Sequence, residues 1–167
     1  MAQITLGGNP VETSGELPHI GSKAPDFKLV AIDLSTKTLS DFEDHNLVLN
    51  IFPSVDTGVC SASVRQFNEE AAELDNTKVL CISRDLPFRQ EQFCAADGLD
   101  NVVMLSDFKS GEFGRSYGLL MTNGIFDALL SRCVIIINKE GIVTYTEQVP
   151  EIGQEPNYKA ALEALMG

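Results

Sequence analysis

The strongest constraint on the fold is the alternation of short apolar runs with amphipathic stretches in the middle of the chain. "NLVLNIF" (46–52) is almost continuously apolar, which is typical of a strand covered on both faces. "VCSASVRQFNEEAAEL" (59–74) then places apolar side chains at helical spacing, with glutamates on the opposite side. "KVLCIS" (78–83) predicts another buried strand, and "LPFRQEQFCAAD" (86–97) another helix. This alternation predicts an α/β fold with a central sheet between helices.

The remaining sequence adds strands on both sides of this segment. "QITLGGNPVET" predicts an N-terminal β-hairpin within about residues 1–16 that turns at Gly7-Gly8-Asn9, and "DFKLVAIDLSTKTLSDF" predicts a second pair of short strands. Further strands are predicted in "NVVMLSD", "RCVIIIN" and "IVTYTEQV", and a last helix in "EPNYKAALEALMG". No repeat or charge block divides the sequence. We therefore expect residues 1–167 to form one thioredoxin-like domain, a mixed β-sheet flanked by helices with the extra hairpin.

The charge of the chain restricts its partners. There are 24 acidic residues against 12 Lys and Arg, a formal net charge of −12, which would repel nucleic acids and anionic membranes. The start, "MAQITLGGNPV", has no pattern of a secretory signal, and the apolar runs are shorter than the roughly 20 residues that span a bilayer. These features predict a cytoplasmic protein. The four cysteines, at 60, 81, 94 and 133, are then expected to be reduced thiols.

Cys60 has surroundings that a cysteine used only for packing does not need. In "PSVDTGVC" (53–60), Pro53 closes a strand, and Cys60 falls in the first turn of the next helix, where free N–H groups and the helix dipole favour negative charge. Thr57 precedes Cys60 by three residues, so its hydroxyl can face the sulfur. Arg132, at the start of a predicted core strand, could supply a nearby cation. The pattern indicates a nucleophilic thiol, although many free cysteines are merely small buried hydrophobic residues.

The same stretch resembles a known family. "PSVDTGVC" matches the Pro-x-x-x-Thr-x-x-Cys pattern of peroxiredoxins, and the longer match resembles their thiol peroxidase subgroup, the bacterial atypical two-cysteine peroxiredoxins. The matching stretches cover nearly the whole chain: "GGNPV", "LNIFPSVDTGVCSASVRQFN", "VLCISRDLPFRQEQFC", "SRCVIIIN" and "EPNYKAALEAL".

The resemblance implies a role for each matching residue. Cys60 is similar to the peroxidatic cysteine of that family and Cys94 to its resolving cysteine, while Pro53, Thr57 and Arg132 resemble the rest of the active site. The implied enzyme reduces hydrogen peroxide and alkyl hydroperoxides through a Cys60 sulfenic acid and an intrachain Cys60–Cys94 disulfide, which thioredoxin reduces. Such an enzyme needs no cofactor, serves antioxidant defence and is a homodimer. Because the two cysteines lie on different predicted helices, at least one helix is expected to unwind locally before they bond.

Other interpretations of these residues remain open. Cys94 could pack in the core, and Arg132 could be an exposed residue at a strand edge. Cys81, inside "VLCIS", is expected to be an inert strand residue, and Cys133 to face the core, although a thiol beside Arg132 leaves alternative pairings open. His19 and His45 are far in sequence from any cysteine, and there is no Cys-x-x-Cys pair, so no metal site is predicted.

Two other functions compete with the peroxidase. A peroxide-sensing signalling module would use the same first oxidation but be reduced slowly, and a non-catalytic scaffold would not react with peroxide. The apolar side chains of "LLMTNGIFDALL" (119–130) lie just before Arg132 in sequence. If they border the site, they would favour alkyl hydroperoxides over hydrogen peroxide.

Overall fold

Residues 2–166, the part of the chain that the computed structural model describes, form nine β-strands and four α-helices. The strands are β1 Gln3–Leu6, β2 Asn9–Glu12, β3 Lys28–Ala31, β4 Thr36–Thr38, β5 Asn46–Ile51, β6 Thr77–Ser83, β7 Val102–Ser106, β8 Cys133–Ile137 and β9 Val143–Gln148. The helices are α1 Gly58–Ala71, α2 Pro87–Asp97, α3 Glu112–Ser116 and α4 Tyr158–Met166, with a 3₁₀ turn at Leu39–Phe42.

Seven strands form one sheet in the order β4, β3, β7, β6, β5, β8, β9. The β5–β6 and β6–β7 pairs are parallel, and the remaining pairs are antiparallel. β1 and β2 form a separate antiparallel hairpin that turns at Gly7 and Gly8, whose φ angles of 58° and 83° favour glycine. The predicted thioredoxin-like mixed sheet and its added hairpin are therefore confirmed.

The sheet separates two apolar clusters because side chains alternate along each strand. In β5, Leu47, Leu49 and Ile51 join the cluster on the side of α3. Val48 joins the opposite cluster, to which α1, α2 and α4 contribute. All the residues from 47 to 52 are buried, as a strand covered on both faces requires.

The ends of the helices follow local chemistry. α2 starts with Pro87 at its first position and stops at Gly98, which has the left-handed φ of 62°. α1 stops at Ala71, three residues before the end of its amphipathic pattern, and the chain continues there as turns. α3 and the 3₁₀ turn were not predicted. α3 is only five residues long and begins after Gly111 in a left-handed conformation, so its sequence has too few turns to show a helical period.

A third, small cluster lies under the N-terminal hairpin. It contains Ile4 and Val11 from the hairpin, Met121, and Ile152 from the segment after β9. The hairpin is thus packed against two loops of the main unit. Within residues 2–166, no helix is long and apolar enough to cross a membrane.

Candidate active site

Cys60 is the third residue of α1 and follows by seven residues the buried Pro53, which lies just after β5. Its side chain is fully buried and belongs to the cluster beneath α1, together with Phe52, Val55 and Phe67. The thiol is free. The first hydrogen bond of the helix runs from the Ser61 N–H to the Thr57 carbonyl at 3.0 Å. The N–H groups of the residues that precede Ser61 in the first turn therefore have no acceptor within the helix. A buried sulfur at this position is close to the positive end of the helix dipole.

Arg132, 72 residues later in the sequence, places its guanidinium against this sulfur. Its Nη2 donates to the Cys60 Sγ at 3.2 Å, and its Nε donates to the Ile152 carbonyl oxygen at 2.8 Å. The side chain is 2% exposed, and its Nη1 is buried with no hydrogen-bond partner among the described residues. The guanidinium is therefore held at two points, and one donor remains available beside the sulfur.

The loop before α1 is closed by its own hydrogen bonds. The Thr57 hydroxyl donates to the Ser54 carbonyl at 3.2 Å, so its bond is made within the loop and its oxygen lone pairs remain available to accept. Asp85, just before α2, accepts from the Ser54 hydroxyl at 2.7 Å and the Val55 N–H at 2.9 Å. Sequence reasoning did not identify Asp85. The one feature that could have indicated it is its position, because it is an acidic residue just after a buried strand, and the carboxyl ends of parallel strands meet at the same edge of a sheet.

Cys94 lies late in α2 and packs against the same cluster as Cys60, half-buried. It is a free thiol, so the two cysteines are not bonded to each other in this structure. Burial, and then the charges of Asp100 and Asp97, raise the pKa of Cys94 to about 11. The thiol is therefore protonated at neutral pH while α2 is folded.

The two other cysteines are fully buried strand residues. Burial raises the pKa of both Cys81 and Cys133 to about 12, which keeps their thiols protonated and unreactive. Cys133 belongs to the cluster on the α3 side of the sheet, whereas Cys60 belongs to the cluster on the other side. The neighbours Arg132 and Cys133 thus face opposite sides of one strand, and the sheet separates the Cys133 thiol from Cys60.

The apolar side chains of the segment 119–130 are divided between the two other clusters and solvent. Leu119 is buried in the α3-side cluster, Met121 packs under the hairpin, and Ile125 is 89% exposed. None of these side chains belongs to the cluster around Cys60. His19 is exposed and His45 is half-buried, and residues 2–166 contain no group of three or more His, Cys, Asp or Glu side chains that could hold a metal ion.

Comparison with known proteins defines the class to which this fold and site belong. The family model described as Redoxin matches residues 19–162, so the chain belongs to the redoxin family. Within that family it groups with the thiol peroxidases. It is 52% identical to the thiol peroxidase of Mycobacterium bovis and 50% identical to that of Corynebacterium glutamicum, each over 99% of both chains.

Solved structures agree with this grouping. A peroxiredoxin-like protein from Aquifex aeolicus superposes with a TM-score of 0.94 at 37% identity, covering 99% of this chain and 96% of that one. A thiol peroxidase from Chromobacterium violaceum superposes with a TM-score of 0.92 at 21% identity, with the same coverage, which shows a shared fold. The resemblance to thiol peroxidases stated from the sequence is confirmed.

Proposed function

We propose that this protein is a peroxidase that reduces hydrogen peroxide and organic hydroperoxides with Cys60 as its nucleophile. The observation that carries the proposal is the contact of 3.2 Å between the Arg132 Nη2 and the Cys60 Sγ in a fully buried site. Across residues 2–166, no carboxylate forms an ion pair with Arg132. The buried guanidinium therefore lacks a permanent counter-charge, and a Cys60 thiolate would supply one.

The first step transfers one oxygen atom. The Cys60 thiolate attacks the terminal oxygen of the hydroperoxide, the S–O bond forms and the O–O bond breaks. The leaving oxygen takes a proton and departs as water or an alcohol, so the sulfur is oxidised by two electrons to a sulfenic acid and the peroxide is reduced. The Arg132 Nη1, which has no partner within residues 2–166, is the donor that would stabilise the leaving oxygen, and the Thr57 hydroxyl oxygen would align the peroxide by accepting from its O–H group. Pro53 would shield the sulfur from water.

The second step uses Cys94. Its sulfur attacks the Cys60 sulfenic acid, an S–S bond forms, and the hydroxyl of the sulfenic acid leaves as water. Because the cysteines lie on different helices and Cys60 is fully buried, we expect α1 or α2 to unwind locally before the sulfurs bond. A thioredoxin-type dithiol then reduces the disulfide by exchange.

Four wider expectations belong to the same proposal. Residues 1–167 form a single domain, which is supported by one seven-stranded sheet that carries both large clusters. The protein acts as a homodimer. It works in a reducing compartment, the bacterial cytoplasm, because the cycle needs its thiols returned to the reduced state. It serves antioxidant defence there.

One experiment tests the proposal directly. Fully reduced protein is treated with one equivalent of cumene hydroperoxide, free thiols are alkylated, and the cysteines are mapped by mass spectrometry. We expect a Cys60–Cys94 disulfide with Cys81 and Cys133 alkylated, and rapid turnover when thioredoxin, thioredoxin reductase and NADPH are added.

Each other outcome has a defined meaning. An oxidised Cys60 without the disulfide would remove Cys94 as the resolving residue. Disulfide formation without turnover would favour the peroxide sensor over the enzyme. Four unoxidised thiols would refute the peroxidase. Cys81→Ser is the matched control, because it removes a buried thiol of the same cluster and should leave peroxide reduction intact.

A further inference from the structure

The carbonyl group that holds Arg132 belongs to a peptide unit that is itself held from the other side. The Ile152 carbonyl oxygen accepts from the Arg132 Nε at 2.8 Å. The N–H of the same peptide unit, that of Gly153, donates to the Glu151 Oε2 at 3.0 Å. Because C=O and N–H point in opposite directions across a trans peptide, Arg132 and Glu151 hold the two ends of one rigid plane.

The Glu151 carboxylate is in turn fixed by the N-terminal hairpin. Its Oε1 accepts from the Gly8 N–H at 2.8 Å and from the Thr5 hydroxyl at 3.2 Å. The backbone of the same two segments pairs as well, with the Thr5 N–H donating to the Pro150 carbonyl at 2.8 Å and the Ile152 N–H donating to the Thr5 carbonyl at 2.9 Å. The Ile152 side chain, 2% exposed, packs in the cluster under the hairpin. The hairpin therefore fixes the residues that flank the peptide.

We propose that Glu151 is a positioning residue for Arg132. It holds the guanidinium through the Ile152–Gly153 peptide, and in this way it connects the N-terminal hairpin to the active site. An anion that accepts from the N–H of a peptide also polarises its carbonyl group, which strengthens the hydrogen bond to the guanidinium. Without Glu151 the peptide can rotate, and the Nη1 and Nη2 of Arg132 lose their fixed directions toward the peroxide and the sulfur. The inference rests on the proposed function, because it assumes that Arg132 acts on Cys60 and its substrate.

Glu151→Gln is the most informative change. The amide has nearly the same shape, but its NH₂ group must face one of the N–H or O–H donors that the carboxylate accepts. We expect the rate constant for oxidation of Cys60 by hydrogen peroxide to fall by roughly 5- to 20-fold, because small errors in the position of a catalytic group are costly. The chain has no tryptophan, so the reaction is followed by rapid quenching, alkylation and mass spectrometry.

Two further variants separate positioning from a general loss of structure. Thr5→Val removes one donor to the same carboxylate while keeping the shape of the side chain, and should slow Cys60 oxidation in the same direction but by less. Glu140→Gln removes an equal charge from the exposed turn between β8 and β9 and should have no effect. Thermal unfolding of each variant checks that it is folded. If Glu151→Gln does not fold, the Thr5→Val comparison alone decides the result.

The decisive readout is a double-mutant cycle with Arg132→Gln. If Glu151 acts through Arg132, Glu151→Gln has no further effect on Cys60 oxidation in the Arg132→Gln background. Equal slowing in both backgrounds would show a structural role and overturn the inference. A Glu151→Gln enzyme as fast as the unchanged protein, with Arg132→Gln slow, would overturn it and leave the proposed function standing. An Arg132→Gln enzyme of unchanged rate would instead refute the role proposed for Arg132, and the inference with it.

Discussion

At the scale of single residues, the site depends on one buried cation with incomplete partners. Two nitrogen atoms of Arg132 form hydrogen bonds, one to the Ile152 carbonyl oxygen and one to the Cys60 sulfur, and its Nη1 has no partner within residues 2–166. An unsatisfied buried donor is unfavourable, so a folded protein seldom keeps one without a use. Here the donor belongs to a guanidinium that contacts Cys60, the proposed nucleophile, so it is available to an oxygen atom of a bound peroxide.

Substitution of Arg132 should therefore affect the first oxidation more than any other step. Arg132→Gln is expected to lower the rate constant for Cys60 oxidation by on the order of 10²- to 10³-fold, the cost of removing a preorganised donor from a developing negative charge. Arg132→Lys keeps the charge but loses the planar pair of donors, so an intermediate rate is expected. Rapid-quench oxidation with hydrogen peroxide measures both. Rates within twofold of the unchanged protein would contradict the assigned role.

Cys94 gives a prediction about pH. Its pKa is raised to about 11, first by burial and then by Asp100 and Asp97, so the reactive thiolate is scarce at neutral pH and increases as the pH rises. Disulfide formation should therefore accelerate from pH 7 to pH 9. Asp100→Asn removes the larger of the two charge effects, which lowers the pKa of Cys94, and should accelerate the step at pH 8. The measurement is the rate of Cys60–Cys94 bond formation after a single equivalent of peroxide. A rate independent of pH would contradict this account.

At the scale of secondary-structure elements, two ion pairs hold α2 in its folded position. The Arg89 Nε donates to Asp56 in the active-site loop at 3.0 Å, and the Arg65 Nη2 of α1 lies 2.8 Å from the Asp97 Oδ2 at the end of α2. The Arg89 guanidinium lowers the pKa of Asp56. Both pairs are partly exposed, so each stabilises the contact only modestly. In the proposed mechanism α1 or α2 unwinds locally before Cys60 and Cys94 bond, and these pairs oppose that unwinding.

Loss of one of these pairs should make the local unwinding easier. Arg89→Gln is expected to accelerate formation of the Cys60–Cys94 disulfide by roughly two- to fourfold, while oxidation of Cys60 by peroxide keeps its rate. Lys159→Gln, which breaks an exposed pair within α4, is the control and should change neither step. Separate rapid-quench measurements of the sulfenic acid and the disulfide distinguish the two rates. A slower disulfide step in Arg89→Gln would show that the pair favours the reactive geometry.

Most of the elements were predictable because their sequence patterns are long enough to show a period. β5, with all the residues from 47 to 52 buried, and α1, with its buried stripe, appear close to the positions predicted. α3 was missed, since five residues contain little more than one helical turn. Phe113 stacks on Tyr117 within the same short segment, but the place of α3 is decided by a tertiary contact, the packing of Phe113 against Phe27.

At the scale of the whole molecule, the excess of acidic groups sets the long-range electrostatics. The formal net charge is −12, and the folded state brings these charges closer together than the unfolded chain does. Raising the ionic strength from about 10 mM to about 150 mM shortens the screening length from roughly 30 Å to 8 Å.

This change should stabilise the folded protein. We expect the midpoint of thermal unfolding to rise by a few degrees between these two salt concentrations at pH 7, because screened repulsion outweighs the weakening of a few exposed ion pairs. Circular dichroism melts in sodium chloride test the expectation, and the same melts in potassium chloride serve as the control for specific ion effects. An unchanged or lower midpoint would show that local ion pairs outweigh the net charge.

The active site could be predicted only in part from the residues themselves. The position of Cys60 in the first turn of a helix followed from local patterns, and the structure places it at the third helical residue. Arg132 lies 72 residues away in sequence, and no local pattern links the two. The family resemblance suggested their meeting. The supporting contacts of Glu151 and Asp85 were not suggested by either route.

The sequence by itself determined the alternation of strands and helices, the N-terminal hairpin, and a helix whose first turn contains Cys60, because periodicity and turn chemistry act between residues close in the chain. Only the tertiary structure decided which face of the sheet each cysteine occupies, that Arg132 is buried against Cys60, and that Glu151 holds the peptide behind it. These contacts join segments that are far apart in sequence. Their geometry depends on strand order and on the packing of the hairpin, which neighbouring residues do not encode.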